Sequence, residues 1–431
     1  MSVPQDISYL ERAGEAKAEK LLLGDNADEL FVEPAPVTDA RFEKNRNFGL
    51  IFGAESILIQ DTILAFQTDE ITSRPSGGPE INILGVHYKW LTDGGRAKRA
   101  LIVDLETLIV KDVVFSEPVS LDFTQILHLP SSNERQLHET LSQTFSKISK
   151  ITQLNSYSGV SQRADDKMRA YELLKADGKT VVPATILIKK SEKPESVRGA
   201  VKKIAGSISG SIVVQPNTGT EGKNVRKFDA AEAAADYILK NIFLDDDALV
   251  REERGNLYCL VPGQEDRGYR RVVLRVNACY NGSGFSAESW YAQVAGDEKS
   301  FVTSPSSGGS VMYVDKIAGG FYYKTGQKQV KSAKFAKFAL GAEEIKTITD
   351  TVAECALAVN AGLDEKTSLK MMGIDIIPEI KLEAGELKLL PVVLDINPRP
   401  AGLARLREIS AAGSNPAPMI SHSLFTWLRS K

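Results

Sequence analysis

Apolar residues along this chain come in short runs, and the character of those runs changes along its length. Residues 1–45 are charged and weakly periodic, which predicts a helical lead-in or arm. From Asn47 onward the pattern is strand-like. Apolar segments fall at 48–52, 57–59 and 100–104, then at 108–110, 112–115 and 125–128. Runs of this length suit buried strands of an α/β unit. Residues 72–79, Thr-Ser-Arg-Pro-Ser-Gly-Gly-Pro, form a loop by composition, and 134–151 reads as an amphipathic helix. No GxGxxG fingerprint is present, so a Rossmann cofactor site has no direct support.

A second pattern begins near Ala164. Asp165 or Asp166 can cap a helix running to Asp177, with Gly178 as its stop. Strand-like runs follow at 181–188 and 211–215. Asp229 and Glu232 have capping-box spacing and predict a helix to about Ile242. Further strand-like runs occupy 248–250, 257–261, 271–278 and 290–294. Phe335, Phe338 and Leu340 are most simply explained as helix packing. Ile345, Ile348, Val352, Cys355 and Val359 share one helical face, and Gly362 ends that helix. Two last strands, 373–377 and 391–396, flank a charged hairpin around Glu383 to Gly385.

At 431 residues the chain is long enough for two or three domains and a large core without staples. It is 42% hydrophobic and 25% charged, with a net charge of −3. This is the balance of a soluble globular protein, with no polybasic nucleic-acid surface. Cys259, Cys279 and Cys355 are few and far apart, which argues against a disulfide framework and fits a reducing cytosol. The expected location is therefore cytoplasmic. There is no signal-like apolar core at the start and no run long enough for a membrane helix. The four histidines, His87, His128, His138 and His422, are scattered, so a His-ligated metal or a Ser-His-Asp triad is a poor fit.

The candidate chemistry lies in Asp395-Ile-Asn-Pro-Arg399. Asp395, Asn397 and Arg399 are two apart and share a face of an extended segment. Carboxylate and amide oxygens suit magnesium, which commonly also binds substrate phosphates. The guanidinium offers several donors to a phosphate or an oxyanion. On the preceding strand Asp375 sits between Ile374 and Ile376, an acid in an apolar setting that requires a partner. A metal shared with Asp395 would supply one. The plainer alternative is a strand end running into a polar turn.

The run Asp395-Ile-Asn-Pro-Arg-Pro-Ala-Gly402 resembles the terminal signature of the ATP-grasp superfamily, usually Glu-hydrophobic-Asn-Pro-Arg, and 373–377 resembles the strand before it. Upstream, Asp166-Lys167 followed by a helix, Gly178 and Pro183 is similar to the start of that family's ATP-binding half. Residues 213–222 resemble its strand and glycine-rich phosphate loop, and 249–255 its adenine- and ribose-binding hinge. Arg271 resembles the arginine of its central strand, and 304–310 its loop near the phosphates. The likeness covers roughly 160–410.

The resemblance implies an ATP-grasp fold, two α+β lobes gripping ATP, behind an N-terminal α/β domain. On this reading 1–45 is an arm, 46–160 the N-terminal domain, 161–255 the ATP-binding lobe and 256–431 the catalytic lobe. It implies an ATP- and magnesium- or manganese-dependent ligase. Such an enzyme activates a carboxylate as an acyl phosphate and joins it to an amine of an amino acid or small metabolite. Asp375, Asp395 and Asn397 would hold metal. Lys167, Gln215, Gly219, Thr220, Gly222, Lys223, Glu252 and Glu253 would hold the nucleotide, and Arg399 and Arg271 would act in catalysis. A homodimer is left open, and no nucleic-acid or membrane partner is implied.

Three features depart from the family. Gln215 stands where a phosphate-binding lysine is usual, so Lys223 or Arg226 would compensate. Asp395 replaces the usual glutamate, so the strand must approach the metal more closely. The N-terminal stretch matches no common amino-acid ligase. The Gln-Pro variant and this long stretch resemble natural-product peptide ligases such as the pheganomycin type. A small-molecule kinase, a ligase to a carrier-protein thiol and a non-catalytic nucleotide-binding protein remain as alternatives.

Other residues have plainer readings. Lys167 is a cation in a helix's first turn, where the dipole disfavours it unless an anion is near. Arg271 could instead pair with Asp266 or Glu265, Glu252 and Glu253 could be a solvated pair, and His87 and His128 read as structural. The cysteines read as buried or inert.

Overall fold

The computed structural model describes residues 39–53, 56–104, 110–127, 129, 134–148, 150–218, 222–304, 307–314, 320–325, 334–399 and 421–431. Most of the 1–45 arm, His128 and the glycine-rich positions Gly219 and Thr220 lie outside them. Within them is a mixed α/β protein built on three sheets.

The first sheet comprises β1 (Arg46–Phe52), β2 (Ile81–His87), β3 (Ala97–Val103), β4 (Val110–Val119), β5 (Phe123–Ile126) and β6 (Thr152–Gln153), in the order β4-β3-β2-β1-β5-β6. β1 has parallel neighbours on both sides, and Phe48, Leu50 and Ile51 are fully buried. That burial on both faces explains the unbroken apolar run at 48–52. The run at 57–59 is not a strand. It lies in helix α1 (Ser56–Ser73), because a short apolar run fits a buried helix as well as a strand. Helix α2 (Glu134–Ser146) is amphipathic as its pattern predicts, and it turns His138, Ser142 and Phe145 inward.

Helix α3 (Lys167–Asp177) begins where expected. The Asp166 side chain accepts the Arg169 N–H at 3.0 Å, and Gly178 takes a left-handed φ of 71° at its end. The second sheet comprises β7 (Thr185–Ile188), β8 (Ile212–Pro216), β9 (Arg226–Phe228) and β10 (Ala248–Glu252), all antiparallel in the order β7-β10-β8-β9. Helices α4 (Pro194–Ser207) and α5 (Ala231–Tyr237) pack on it through Val197, Val201, Ala234 and Ala235. The Asp229–Glu232 capping box does not form. Asp229 accepts instead from the Ser211 hydroxyl at 2.6 Å, and α5 widens into a π turn over Ile238–Ile242.

The third sheet is antiparallel. It comprises β11 (Leu257–Cys259), β12 (Arg270–Tyr280), β13 (Phe285–Val294), β14 (Ser310–Tyr313), β15 (Phe321–Thr325), β16 (Lys334–Phe338), β17 (Met371–Glu383) and β18 (Glu386–Asn397). β12 is central, pairing with β11, β13 and β17, and β18 closes one edge beside β17. Helix α6 (Ala342–Asn360) covers one face and buries Ile348, Val352, Cys355 and Val359, while Ile345 stays exposed. Phe335 and Phe338 belong to strand β16 rather than to a helix. The Phe335 ring stacks on Tyr269 at 4.0 Å, a contact that period alone could not foretell. Helix α7 (His422–Ser430) returns the chain to the first sheet. Its Leu424, Phe425, Trp427 and Leu428 share a core with Phe48 and Phe66. No helix among the described residues is long and apolar enough to cross a membrane.

Candidate active site

The site is a polar face on the edge of the third sheet. Arg275 of β12, Asp375 of β17 and Asp395 of β18 lie opposite one another in register, forming one rung across three strands. The next rung on that face carries Asn277, Gly373 and Asn397. The alternate residues Val276, Ile374 and Ile396 turn into the core under α6. Thus the same alternation that buries an apolar core lines up two acids, two amides and an arginine on the other side.

The partner that Asp375 requires is Arg275. Nε and NH2 of Arg275 both donate to the carboxylate, the latter at 2.7 Å. Burial works against the Arg275 charge, but Asp375 beside it holds the guanidinium above its ordinary pKa. Space for this arginine comes from Gly373. A Cβ there would sit 2.8 Å from Arg275 Cδ. Asn397 donates from Nδ2 to Asp375 and to the Gly373 carbonyl, each at 3.3 Å. Arg275 was absent from the sequence-derived set. Its signal is a charged residue between Leu274 and Val276, four residues after Arg271.

Lys167 reaches the same rung from α3, with Nζ 2.6 Å from Asp395 Oδ2. This carboxylate is the anion that a lysine in a first helical turn calls for. The helix N-terminus itself is already satisfied. The N–H groups of Lys167 and Met168 donate to the Asn217 carbonyl and side-chain oxygen at 3.2 and 2.9 Å, while Asp166 accepts from Asn217 at 3.0 Å. Asn217, which the sequence did not flag, therefore ties α3 to the end of β8, where the glycine-rich segment begins. Thr218 is fixed there by Asp246, which accepts from its N–H and its hydroxyl at 2.7 Å each. Gln215 is buried in β8, and its Nε2 has no hydrogen-bond partner among the described residues. Gly222 closes the segment with φ 71°, and a Cβ there would sit 2.7 Å from Val302. Gly222 therefore lies against the loop that carries Val302 and Ser304.

A second charged cluster sits four residues further along β12 and β17, about 13 Å away at the rise of a strand. Glu253 accepts from Arg271 at 2.7 Å and lies 3.4 Å from Lys227. Burial would raise the Glu253 pKa, but Arg271 and Lys227 hold it below the usual carboxylate range. Arg271 thus pairs with Glu253, not with Asp266 or Glu265. Glu252 is 3.5 Å from both the Ala184 N–H and Arg254, and Arg254 in turn grips Glu379 at 2.8 and 3.0 Å. Glu252 and Glu253 are therefore not a free solvated pair.

Arg399 is drawn towards the first sheet. It donates to Asp165 at 3.2 and 2.8 Å and to His138 Nδ1 at 3.3 Å. His138 Nε2 donates to the Asn155 carbonyl at 3.0 Å, so Nδ1 keeps its lone pair for Arg399. Burial, reinforced by the Arg399 charge, pushes the His138 pKa down to about 4. The carbonyl of Pro398 accepts from Gln125 and Asn155, both at 3.4 Å. The exit of β18 is thus held by Gln125, His138 and Asn155 from the first 160 residues together with Asp165. Of these holders, His138 had no assigned role in the sequence, and Asp165, one of two candidate caps for α3, pairs with Arg399 while Asp166 makes the cap.

Do these donors fit magnesium? Among the described residues no three carboxylate, histidine or cysteine ligands converge. Two opposed acids with a neighbouring amide nevertheless match the habit of magnesium, which takes one or two carboxylates and completes its shell with water and substrate phosphate. Arg275 and Lys167 neutralise the acids in the arrangement seen. The set fits.

No protein-family model matches the chain, and no curated protein does. Among solved structures the chain is similar to the VanG D-Ala:D-Ser ligase from Enterococcus faecalis, at 12% identity and a TM-score of 0.49, over 90% of this chain and 98% of that one. It is similar to D-alanyl-alanine synthetase A from Vibrio cholerae at 13% identity and a TM-score of 0.49, over 89% and 97% of the two chains. It is also similar to the D-cycloserine synthetase DcsG at 14% identity and a TM-score of 0.47, over 85% and 98%. Scores and identities this low leave the functional reading to rest on the chain's own sheets and side chains.

Proposed function

We propose that this protein is an ATP-grasp ligase that activates a carboxylate with ATP and joins it to an amine. The observation that carries the reading is the rung Arg275–Asp375–Asp395 with Lys167 and Asn397 on it, placed where a four-stranded antiparallel sheet meets an eight-stranded one. A nucleotide laid along this face would meet Glu252 and Glu253 at one end and Lys167, Asp375 and Asp395 at the other. Gln215, Gly219, Thr220, Gly222 and Lys223 would cover its phosphates. On this reading 161–255 is the ATP-binding lobe, 256–431 the catalytic lobe and 46–160 a domain that shapes the acceptor site.

In the first step a substrate carboxylate oxygen attacks the γ-phosphorus. The bond to the bridging oxygen breaks, and ADP leaves. In the second step an amine attacks the carbonyl carbon, phosphate leaves with the bond pair, and the nitrogen loses a proton to solvent or phosphate. Magnesium held by Asp375, Asp395 and Asn397 would neutralise the triphosphate and align its terminal phosphoryl group. Lys167 would exchange its Asp395 contact for a phosphate oxygen. Arg399, with Arg271 further along the face, would supply guanidinium donors to developing negative charge. A covered phosphate site would exclude water, which would otherwise hydrolyse the acyl phosphate. Amino acids or other small metabolites are the substrates, and natural-product biosynthesis is the setting this favours.

The test is trapping. Hydroxylamine supplied with ATP, magnesium and candidate carboxylic acids should yield an acyl hydroxamate from one class of acid. ADP formation with no hydroxamate from any acid, and a phosphorylated alcohol instead, would replace this reading with a kinase.

A further inference from the structure

β18 does not alternate cleanly. Val393 packs in the core under α6, whereas Val392 faces the other way with Val273 and Ile377. Leu394 packs against that same group, and Asp395, the very next residue, faces Asp375 on that side too. Ile396 then returns to the core. Two successive residues therefore share a face. The register explains why: Asp375 lies opposite Asp395 and Ile376 opposite Val393, so Leu394 is an extra residue without a partner. It is a β-bulge beside the acidic pair, a device that re-aims a side chain. If the bulge closed, a one-residue shift would turn Asp395 into the apolar core and put Ile396 on the site face.

Something has to hold that bulge open, because among the described residues β18 has no strand beyond it, only a single bridge from Val392 to Val181. The Leu394 carbonyl accepts from Arg251 NH1 at 2.9 Å, and the neighbouring Val393 N–H donates to the Val181 carbonyl at 2.8 Å. Arg251 comes from β10 of the other sheet and is 3% exposed. Among the described residues its Nε has no hydrogen-bond partner and it forms no ion pair. Burial lowers its pKa, and the Asp395 charge offsets this only in part. A guanidinium is an expensive group to bury for one carbonyl, and Asp395 already has Lys167 as its direct partner.

We infer that Arg251 is a positioning residue: by clamping the Leu394 carbonyl it locks the bulge of β18, and so aims the short Asp395 side chain at Asp375 only when the two sheets are docked. This rests on the reading of the Asp375–Asp395 face as a metal and phosphate site. It also accounts for an aspartate at 395, since the bulge places the shorter acid directly opposite its partner.

The test uses the full chain with Arg251→Met and, as the conservative variant, Arg251→Lys. Amide hydrogen exchange without nucleotide or metal comes first. Arg251→Met should speed exchange at least tenfold across 391–397 while 271–280 and 212–216 stay within twofold of the parent. In turnover, the magnesium concentration for half-maximal rate should rise several-fold and kcat should fall, with KM for ATP within twofold. Arg251→Lys, which keeps the charge and one donor, should lie between. Exchange that rises evenly over β10, β12 and β18 would make Arg251 merely structural. A local rise with an unchanged magnesium requirement would make it a brace that positions nothing. If Arg251→Met does not fold, Arg251→Lys is read by the same criteria. A parent protein without any ATP turnover sinks the proposed function, whereas the exchange result stands or falls without substrate.

Discussion

At the residue scale the proposed chemistry rests on carboxylates that are already paired, Asp375 with Arg275 and Asp395 with Lys167. Asp395→Asn keeps the shape of the side chain and removes the charge that faces Lys167. Turnover should fall by at least the order of 10²-fold expected when even an outer metal contact is lost. Stability should drop by only about 1–2 kcal/mol, since the amide still offers Lys167 an acceptor. Steady-state kinetics alongside urea unfolding checks both, and a fully active variant would remove Asp395 from the site. His138 gives a pH prediction. Its pKa falls from 6.5 to about 4 on folding, so between those values the unfolded chain binds a proton that the native one does not. Stability is therefore full above about pH 6.5 and is lost as pH falls towards 4, by up to about 3 kcal/mol. The paired glutamates Glu253 and Glu379, with depressed pKa values, add their own losses only below the ordinary carboxylate range. Urea midpoints for the parent and His138→Gln should diverge between pH 6.5 and 4.5; parallel curves would mean that His138 is not held neutral.

The acids and the lysine were legible as single residues because an Asp in an apolar strand and a Lys in a first helical turn each demand a partner. Their partners were not, because pairing across β12, β17 and β18 is a matter of register. Arg275, Arg251, Asn217 and His138 are meaningful only once strands and helices are placed beside one another.

At the element scale, most caps and stops were readable, the exception being Asp229, which bonds Ser211 instead of capping α5. Asp166, Gly178 and Gly362 act through local geometry that a sequence contains in full. The misread segments are those where an apolar run has no period of its own, as in α1, or where an aromatic stripe serves a strand, as in β16. The bulge at Leu394 hides within an unbroken Val-Val-Leu run, where nothing marks which residue is extra. Between β10 and β11 the chain turns at Gly255, with φ 88°, and a Cβ there would lie 1.9 Å from Ile377 Cγ2. Gly255→Ala should therefore cost on the order of 2–3 kcal/mol, from backbone strain and overpacking together. A urea midpoint unchanged from the parent would show that this junction yields more easily than its packing implies.

At the scale of the whole molecule, the site is assembled from all three sheets. The third supplies the acids, the second supplies Lys167's anchor and Arg251, and elements of the first hold Arg399 and Pro398 in place. Helix α7 completes the link by burying Phe425 between Phe48 and Phe66, with ring centroids 6.3 and 6.1 Å away. Phe425→Ala should destabilise the protein by about 3–5 kcal/mol, seen as a lower urea midpoint. A loss below about 1 kcal/mol would mean that the pocket collapses around the gap. The sequence could announce an α/β region followed by two α+β lobes, but not that the last helix would return to the first sheet, because that return is a long-range packing choice.

The most direct test of the central claim follows ADP and free phosphate together, in the presence of ATP and magnesium, across paired panels of small carboxylic acids and amines. The account predicts equal amounts of ADP and phosphate, formed only when a particular acid and amine are both present. ADP without free phosphate, or turnover indifferent to the carboxylate, would contradict it.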